Sequence, residues 1–296
     1  MQTFSRILVA LDLSPMDAYL IEYARKVAGV FRSSQVYFVH IIPDLSLPKS
    51  EQLEFRQRFA PETPVDEQVS RQLGEKIKSH WGETGQTQWS IDVIEGKPYT
   101  QLLRWLEIKK IELLVIGQKQ ESLGSGITSR KLANNASCSV LFVPEKKPRE
   151  GSHLLVPVDF SKDSAQALHL ALGWKLKSGE NARVTALHIT DLIAAGYYLD
   201  RQEFENFNRF LTDTAMESFN RFLADYNLPG DQLEEQLLRN DEGSISDRII
   251  EFAKQDNADW ILVGAQGHGA IERFFFGSIT EKLVSQPLPA PTLVVR

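Results

Sequence analysis

The chain carries one pattern twice. Arg6-Ile7-Leu8-Val9-Ala10-Leu11-Asp12-Leu13-Ser14 returns as His153-Leu154-Leu155-Val156-Pro157-Val158-Asp159-Phe160-Ser161, and Val36-Tyr37-Phe38-Val39-His40-Ile41 returns as Val184-Thr185-Ala186-Leu187-His188-Ile189. Asp12 and Asp159 lie 147 residues apart, as do Gly117 and Gly264, whereas Gly126 and Gly277 lie 151 apart. A register kept from the first apolar run to a distant glycine demands two copies of one fold rather than one large one. The 296 residues then divide into domains 1–144 and 152–296, each long enough to bury its own core. The stretch between them, Pro144-Glu145-Lys146-Lys147-Pro148-Arg149-Glu150-Gly151-Ser152, is polar and holds two prolines, as domain linkers do.

Within each copy, short apolar runs alternate with amphipathic stretches, the pattern of βαβ units around a parallel sheet. Strands are predicted at Ile7–Leu11, Val36–Ile41, Gln88–Ile94, Leu113–Ile116 and Val140–Val143, and again at Leu154–Val158, Val184–Ile189, Leu233–Leu238, Trp260–Val263 and Thr292–Val295. Leu113-Leu114-Val115-Ile116 has no polar alternation, so both its faces should be covered. Ala165, Leu168, Leu172 and Leu176 share a helical face behind Ser161, a ready N-cap. A helix is also expected over Ile245–Lys254. The segment 191–229 carries Phe204, Phe207, Phe210, Leu211, Phe219, Phe222 and Tyr226 near helical spacing. A helix packed on the sheet or on the other domain explains it, with a groove for an apolar ligand as the alternative.

The two copies differ most where chemistry would reside. Gly264-Ala265-Gln266-Gly267 follows an apolar strand, and Gly277-Ser278-Ile279-Thr280-Glu281 then enters a helix. Glycines let backbone approach a ligand, and a helix start presents N–H groups and a positive dipole end to a phosphate. The first copy has Gln120 in place of Gly267, Ile127 in place of Ser278, and a loop four residues shorter. Ordinary loop drift produces such a length change too, but the simultaneous loss of glycine and hydroxyl favours a decayed site. Asp159, at a predicted strand end, can accept from a ribose hydroxyl or cap the next helix. Ser278-x-x-Glu281 has capping-box spacing, and the Ser278 hydroxyl can instead reach a phosphate. His268 stands inside the loop, within reach of a phosphate, and Phe274-Phe275-Phe276 is expected to anchor the loop or an interface. His40 and His188 are expected to make structural hydrogen bonds.

Several classes are excluded. There is no G-x-x-x-x-G-K-[ST], and the glycines follow the fourth strand rather than the first, so neither a P-loop nor the dinucleotide fingerprint is present. No Ser-His-Asp or Cys-His set stands out. The single cysteine, Cys138, precedes an apolar run and should be a buried thiol; it allows neither an intrachain disulfide nor a cysteine metal cluster. A net charge of −6 argues against nucleic acid or anionic membrane as partner. No apolar run approaches a membrane span, and Ile7–Leu11 is too short for a signal-peptide core, so a cytoplasmic protein is expected.

The pattern Gly264-x2-Gly267-x9-Gly277-Ser278, with Leu155-Val156-Pro157-Val158-Asp159-Phe160-Ser161 upstream, resembles the universal stress protein family over nearly the whole chain, as two tandem copies. The resemblance implies two Rossmann-like α/β domains, each a five-stranded parallel sheet flanked by helices, and a stress-response regulator that binds ATP with Mg²⁺. By position it places Asp159 beside the adenosine and the Ile189 backbone at the adenine. Gly264, Gly267, Gly277, Ser278, Ile279 and Thr280 would surround the phosphates, with Pro157, Val158, Val263 and His268 lining the same site. It assigns no catalytic or metal-ligating residue. Members commonly pair through their last strands; here Val140–Val143 and Thr292–Val295 can do so within one chain as a pseudo-dimer, with a further homodimer and an unnamed protein partner open. A slow ATPase or other nucleotide-using enzyme, and a scaffold that binds no nucleotide, are the alternative readings.

Overall fold

The computed structural model describes residues 4–42, 64–82, 87–118, 125–149, 151–178, 182–191, 201–240, 243–267 and 276–296. Their contacts fall into two units, divided between Cys138 and Ser139. The first holds four parallel strands, β1 (Arg6–Leu11), β2 (Gln35–Ile42), β3 (Gln88–Glu95) and β4 (Leu113–Gln118). β1 pairs with β2 on one side and β4 on the other, and β2 pairs with β3. Leu113 to Ile116 are all buried, as an unalternating apolar run requires. The unit's helices are α1 (Met16–Phe31), α2 (Val65–Trp81), α3 (Pro98–Ile108) and α4 (Ser125–Asn135). α1 buries Leu20, Ile21, Ala24, Val27, Ala28 and Phe31 along one stripe and ends at Arg32, whose left-handed φ of 52° turns the chain toward β2.

The second unit holds β5 (Ser139–Pro144), β6 (His153–Pro157), β7 (Arg183–Asp191), β8 (Glu234–Asn240), β9 (Trp260–Gly264) and β10 (Thr292–Val295). Its helices are α5 (Lys162–Ser178), α6 (Arg201–Asp225), α7 (Ile245–Gln255) and α8 (Ser278–Ser285). β6 lies between β7 and β9, β7 pairs with β8, and β9 pairs with β10, all parallel. β5 pairs antiparallel with β10 through Phe142↔Thr292, Leu141↔Leu293 and Val140↔Val294. Each repeat thus supplies five strands, the first four paired in the same parallel order, and the expected meeting of the two last strands occurs. β5, the fifth strand of the first repeat, is carried in the second unit, where the Arg296 N–H donates to Ser139 Oγ at 3.2 Å.

The aromatic segment is the helix α6. Phe219 and Phe222 are buried against Phe160, with ring centroids 6.0 and 5.6 Å away, and Phe210 points to solvent. The Phe204 side chain lies outside the described residues. Cys138 is buried. No described helix is long and apolar enough to cross a membrane.

Candidate functional site

The carboxyl ends of β6, β7 and β9 converge in the second unit, where an open parallel sheet offers a crevice. β6 stops at Pro157, paired with Leu187, and the Val158 N–H donates to Leu187 O at 2.8 Å. β7 runs on to Asp191, two residues past the end expected for it. Backbone groups of alternate strand residues point to the same side, so Ile189, like Leu187, turns its N–H and C=O toward β6, beyond the last β6–β7 pair.

Asp159 follows at once. Its Oδ1 accepts from the Ser161 N–H at 3.1 Å and from Ser161 Oγ. Ser161 Oγ accepts from the Ser164 N–H at 3.2 Å, making Ser161 the N-cap of α5 as the sequence suggests. Asp159 therefore orders the turn through one oxygen and turns the other, Oδ2, toward Gly267, where an added Cβ would overlap it. Phe160 takes a φ of 64°, as Leu13 does in the first repeat. This left-handed step lays Phe160 on His188, with ring centroids 4.3 Å apart. His188 Nδ1 bonds to Val158 O at 2.9 Å, and His40 bonds to Leu11 O in the same way at 3.0 Å. Both histidines are structural, as expected. Burial holds the His188 pKa down, against the opposing pull of Val158 O and Asp159.

The glycine turn is held from three sides. Gly264 packs on the α5 entrance, where a Cβ would lie 2.7 Å from the Asp163 carbonyl carbon and 2.9 Å from Ser164 N. Asp163 Oδ2 accepts from the Gln266 N–H at 3.0 Å, and Thr280 Oγ1 donates to Gly264 O at 2.9 Å. Val263 is buried within β9. The Gly277 N–H donates to Ala265 O at 2.8 Å, and a Cβ on Gly277 would lie 3.3 Å from Gly267 N. The loop's two ends therefore lie backbone to backbone, close enough that a side chain on Gly277 would have to push the Gly267 backbone aside. Phe276 anchors the return, buried with its ring 6.3 Å from Phe142 and 5.0 Å from the Arg296 guanidinium. His268, Phe274 and Phe275 lie outside the described residues.

Of the two roles open to the Ser278 hydroxyl, helix capping does not occur. Gly277, with extended backbone at φ −63° and ψ 156°, is the N-cap of α8, and Ser278 is its first helical residue. Ser278 and Glu281 therefore form no capping box. Gly277 has no side chain to accept from the first-turn N–H groups, and Ser278 is exposed with Ile279 half-buried beside it. The result is a helix start with uncapped donors beside Gly267 and Asp159.

Asp163 was not singled out by its sequence context, because an acid in the first turn of a helix is ordinary. The repeat offset carries the missing signal: Met16 stands at the same place in the first copy. There a Cβ on Gly117 would meet only the Met16 side chain, its Cγ at 2.9 Å. Asp17 replaces Ser164 and is fully buried; its Oδ1 accepts from the Asp12 N–H at 3.0 Å and its Oδ2 from Lys76 Nζ at 3.0 Å. Lys76 also donates to Ser14 O at 3.1 Å. Burial pushes the Asp17 carboxyl up, against the lowering pull of Lys76. Among the described residues, no group of three or more His, Cys, Asp or Glu is placed to hold a metal ion.

The sequence model of the universal stress protein family matches residues 3–144 and 152–296. A universal stress protein of Methanocaldococcus jannaschii is 25% identical over 153 residues, covering 50% of this chain and 85% of that protein. A solved universal stress protein from Archaeoglobus fulgidus shares the fold with a TM-score of 0.63 at 17% identity, covering 98% of this chain and 96% of that one. One described as a putative universal stress protein from Pseudomonas aeruginosa gives 0.61 at 15%, covering 99% and 93%. With both halves matched separately and the whole fold shared, the chain belongs to the universal stress protein family as a member with two such domains in tandem.

Proposed function

We propose that the chain is a cytoplasmic regulator that binds one ATP in its second domain, and that binding shifts its conformation or partner preference rather than leading to rapid turnover. The observation that carries this reading is the closure of the glycine loop: Gly277 lies so close to the Gly267 backbone that a side chain there would have to push it aside, and it sets an uncapped helix start at the loop's return, beside Gly267 and Asp159. In this reading the α8 first-turn N–H groups and Ser278 hold phosphate oxygens, Asp159 Oδ2 accepts from a ribose hydroxyl, and the Ile189 backbone meets the adenine edge. Asp163 fixes the turn through Gln266. Magnesium, which keeps most of its ligands from phosphate and water, needs no dedicated protein cage here. The first domain replaces the turn's carboxylate with Met16 and fills the neighbouring helix entrance with the Lys76–Asp17 pair, which favours a domain that holds no nucleotide.

The test is the nucleotide carried through purification. Denaturing the clean protein and counting released nucleotide should give about one ATP or ADP per chain, and Gly277→Val should abolish it. Two per chain would place a second nucleotide in the first domain. None, with no heat when ATP and Mg²⁺ are added, would leave the protein a scaffold. Steady-state phosphate release should be slow, and a fast rate abolished by Ser278→Ala would make it an enzyme.

A further inference from the structure

A cavity of about 490 Å³ opens between α6 and the carboxyl ends of β7 and β8, on the same face as the His188–Phe160 stack. Arg209, Thr212 and Asp213 enter it from α6, Thr190 from β7, and Leu237 and Arg239 from β8. Thr190 and Arg239 are register partners across the two strands, as are His188 and Leu237 two residues earlier. Its volume falls in the range of pockets for small organic ligands.

The charges in it are unspent. Arg209 and Asp213 stand one helical turn apart on α6, in the less favourable order for an intrahelical pair, and form no ion pair within 4.0 Å. Arg239 likewise has no ion-pair partner among the described residues. Two arginines lining one space suit a dianionic oxyanion, since the forked donors of a guanidinium match phosphate geometry. One carboxylate and two threonines suit a ligand that also carries hydroxyl groups, which donate to Asp213 and exchange bonds with the threonines. Leu237 offers an apolar floor for a short carbon skeleton.

We propose that this cavity is a second ligand site, for a phosphorylated sugar or polyol, held by Arg209 and Arg239 at its phosphate and by Asp213 at a hydroxyl. The site is built from α6, β7 and β8 and does not depend on the glycine loop or on the nucleotide reading.

Calorimetric titration of the full chain with ribose 5-phosphate tests it, with ribose and inorganic phosphate as companion probes. Ribose 5-phosphate should bind at one per chain, more tightly than inorganic phosphate, and ribose should give no heat. Arg209→Ala or Arg239→Ala should each weaken ribose 5-phosphate at least tenfold. Asp213→Asn should weaken ribose 5-phosphate and leave inorganic phosphate unchanged. All three residues are exposed, so the variants should melt with the parent. Saturating ATP should not displace the sugar phosphate. Absence of heat at millimolar ligand, affinity untouched by both arginine variants, or displacement by ATP would each overturn the proposal.

Discussion

Gly264 and Gly117 hold the same place in the two repeats and face different neighbours. A methyl group on Gly264 runs into the Asp163 and Ser164 backbone at 2.7–2.9 Å, which cannot swing aside, whereas on Gly117 it meets the flexible Met16 side chain. Gly264→Ala should therefore destabilise the protein by about 1–3 kcal/mol and Gly117→Ala by under ~1, read from the midpoints of denaturant unfolding. Asp163→Ala removes the carboxylate bond to the Gln266 N–H. A hydrogen bond to a charged group is worth about 1.5–3 kcal/mol, so ATP affinity should fall roughly tenfold if the turn is the phosphate cradle; unchanged affinity in a titration would remove Asp163 from that role. The native pKa of His188 lies below the ordinary imidazole value because the ring is buried. The unfolded chain then binds the extra proton first, so stability is full above pH ~6.5 and is lost as pH falls from there toward the native pKa. Urea unfolding at pH 7 and pH 5 should show a smaller acid loss for His188→Gln than for the parent; His153, shifted the same way, is present in both. Gly264, Gly267, Gly277 and Asp159 were legible in the sequence because their spacing repeats a motif. Asp163 was not, since its role depends on which backbone N–H the fold brings above it.

At the scale of elements, the two helix starts Ser244-Ile245-Ser246-Asp247 and Ser278-Ile279-Thr280-Glu281 look alike in sequence and are built differently. Ser244 is an N-cap in a complete capping box with Asp247. Ser278 is one residue inside α8, because the Gly277 N–H is held by Ala265 O and its extended backbone takes the cap position. Spacing alone cannot tell these frames apart; the tertiary bond to Ala265 decides. Ser244→Ala should thus cost about 1 kcal/mol of unfolding free energy, while Ser278→Ala should change it by less than ~0.5 kcal/mol and weaken ATP instead. Comparing the two variants by denaturation and by nucleotide titration separates a cap from a ligand contact. The strands themselves were readable where both faces are covered, as in Leu113–Ile116, since burial on two sides removes polar residues. β7 runs two residues beyond its apolar stretch: Thr190 and Asp191 are polar, and their pairing with Arg239 and Asn240 on β8 holds them in the sheet. β8 likewise runs past its apolar stretch, through those same partners. These extra residues extend the β7–β8 pairing beyond Ile189, which already lies past the last β6–β7 pair.

For the whole molecule, duplication has given two copies of one topology that differ in what their helix entrances hold. In the first, a buried carboxylate and its lysine occupy the entrance to α1; in the second, serines and a pinned glycine turn do so. The copies also share one feature that neither has alone. β10 is buried at Thr292, Leu293, Val294 and Val295, lying between β9 on one edge and β5 on the other, and β5 is encoded before the linker. Expressing residues 152–296 alone would strip β5 away and leave the β10 edge with its N–H and C=O groups unpaired along an apolar strand. Such an edge pairs with the nearest compatible one, and the antiparallel register of β5 on β10 is what a second β10 can reproduce. The isolated second domain should therefore sediment as a dimer at micromolar concentration. Replacing Leu293 or Val294 would damage the core as well as the edge, so the discriminating comparison is with the full chain, which keeps β5 on β10. If the β10 edge drives association, the full chain should sediment as a monomer at the same concentration. Equal numbers of chains per particle for the fragment and the full chain would mean that β5 does not cover the surface through which the fragment associates.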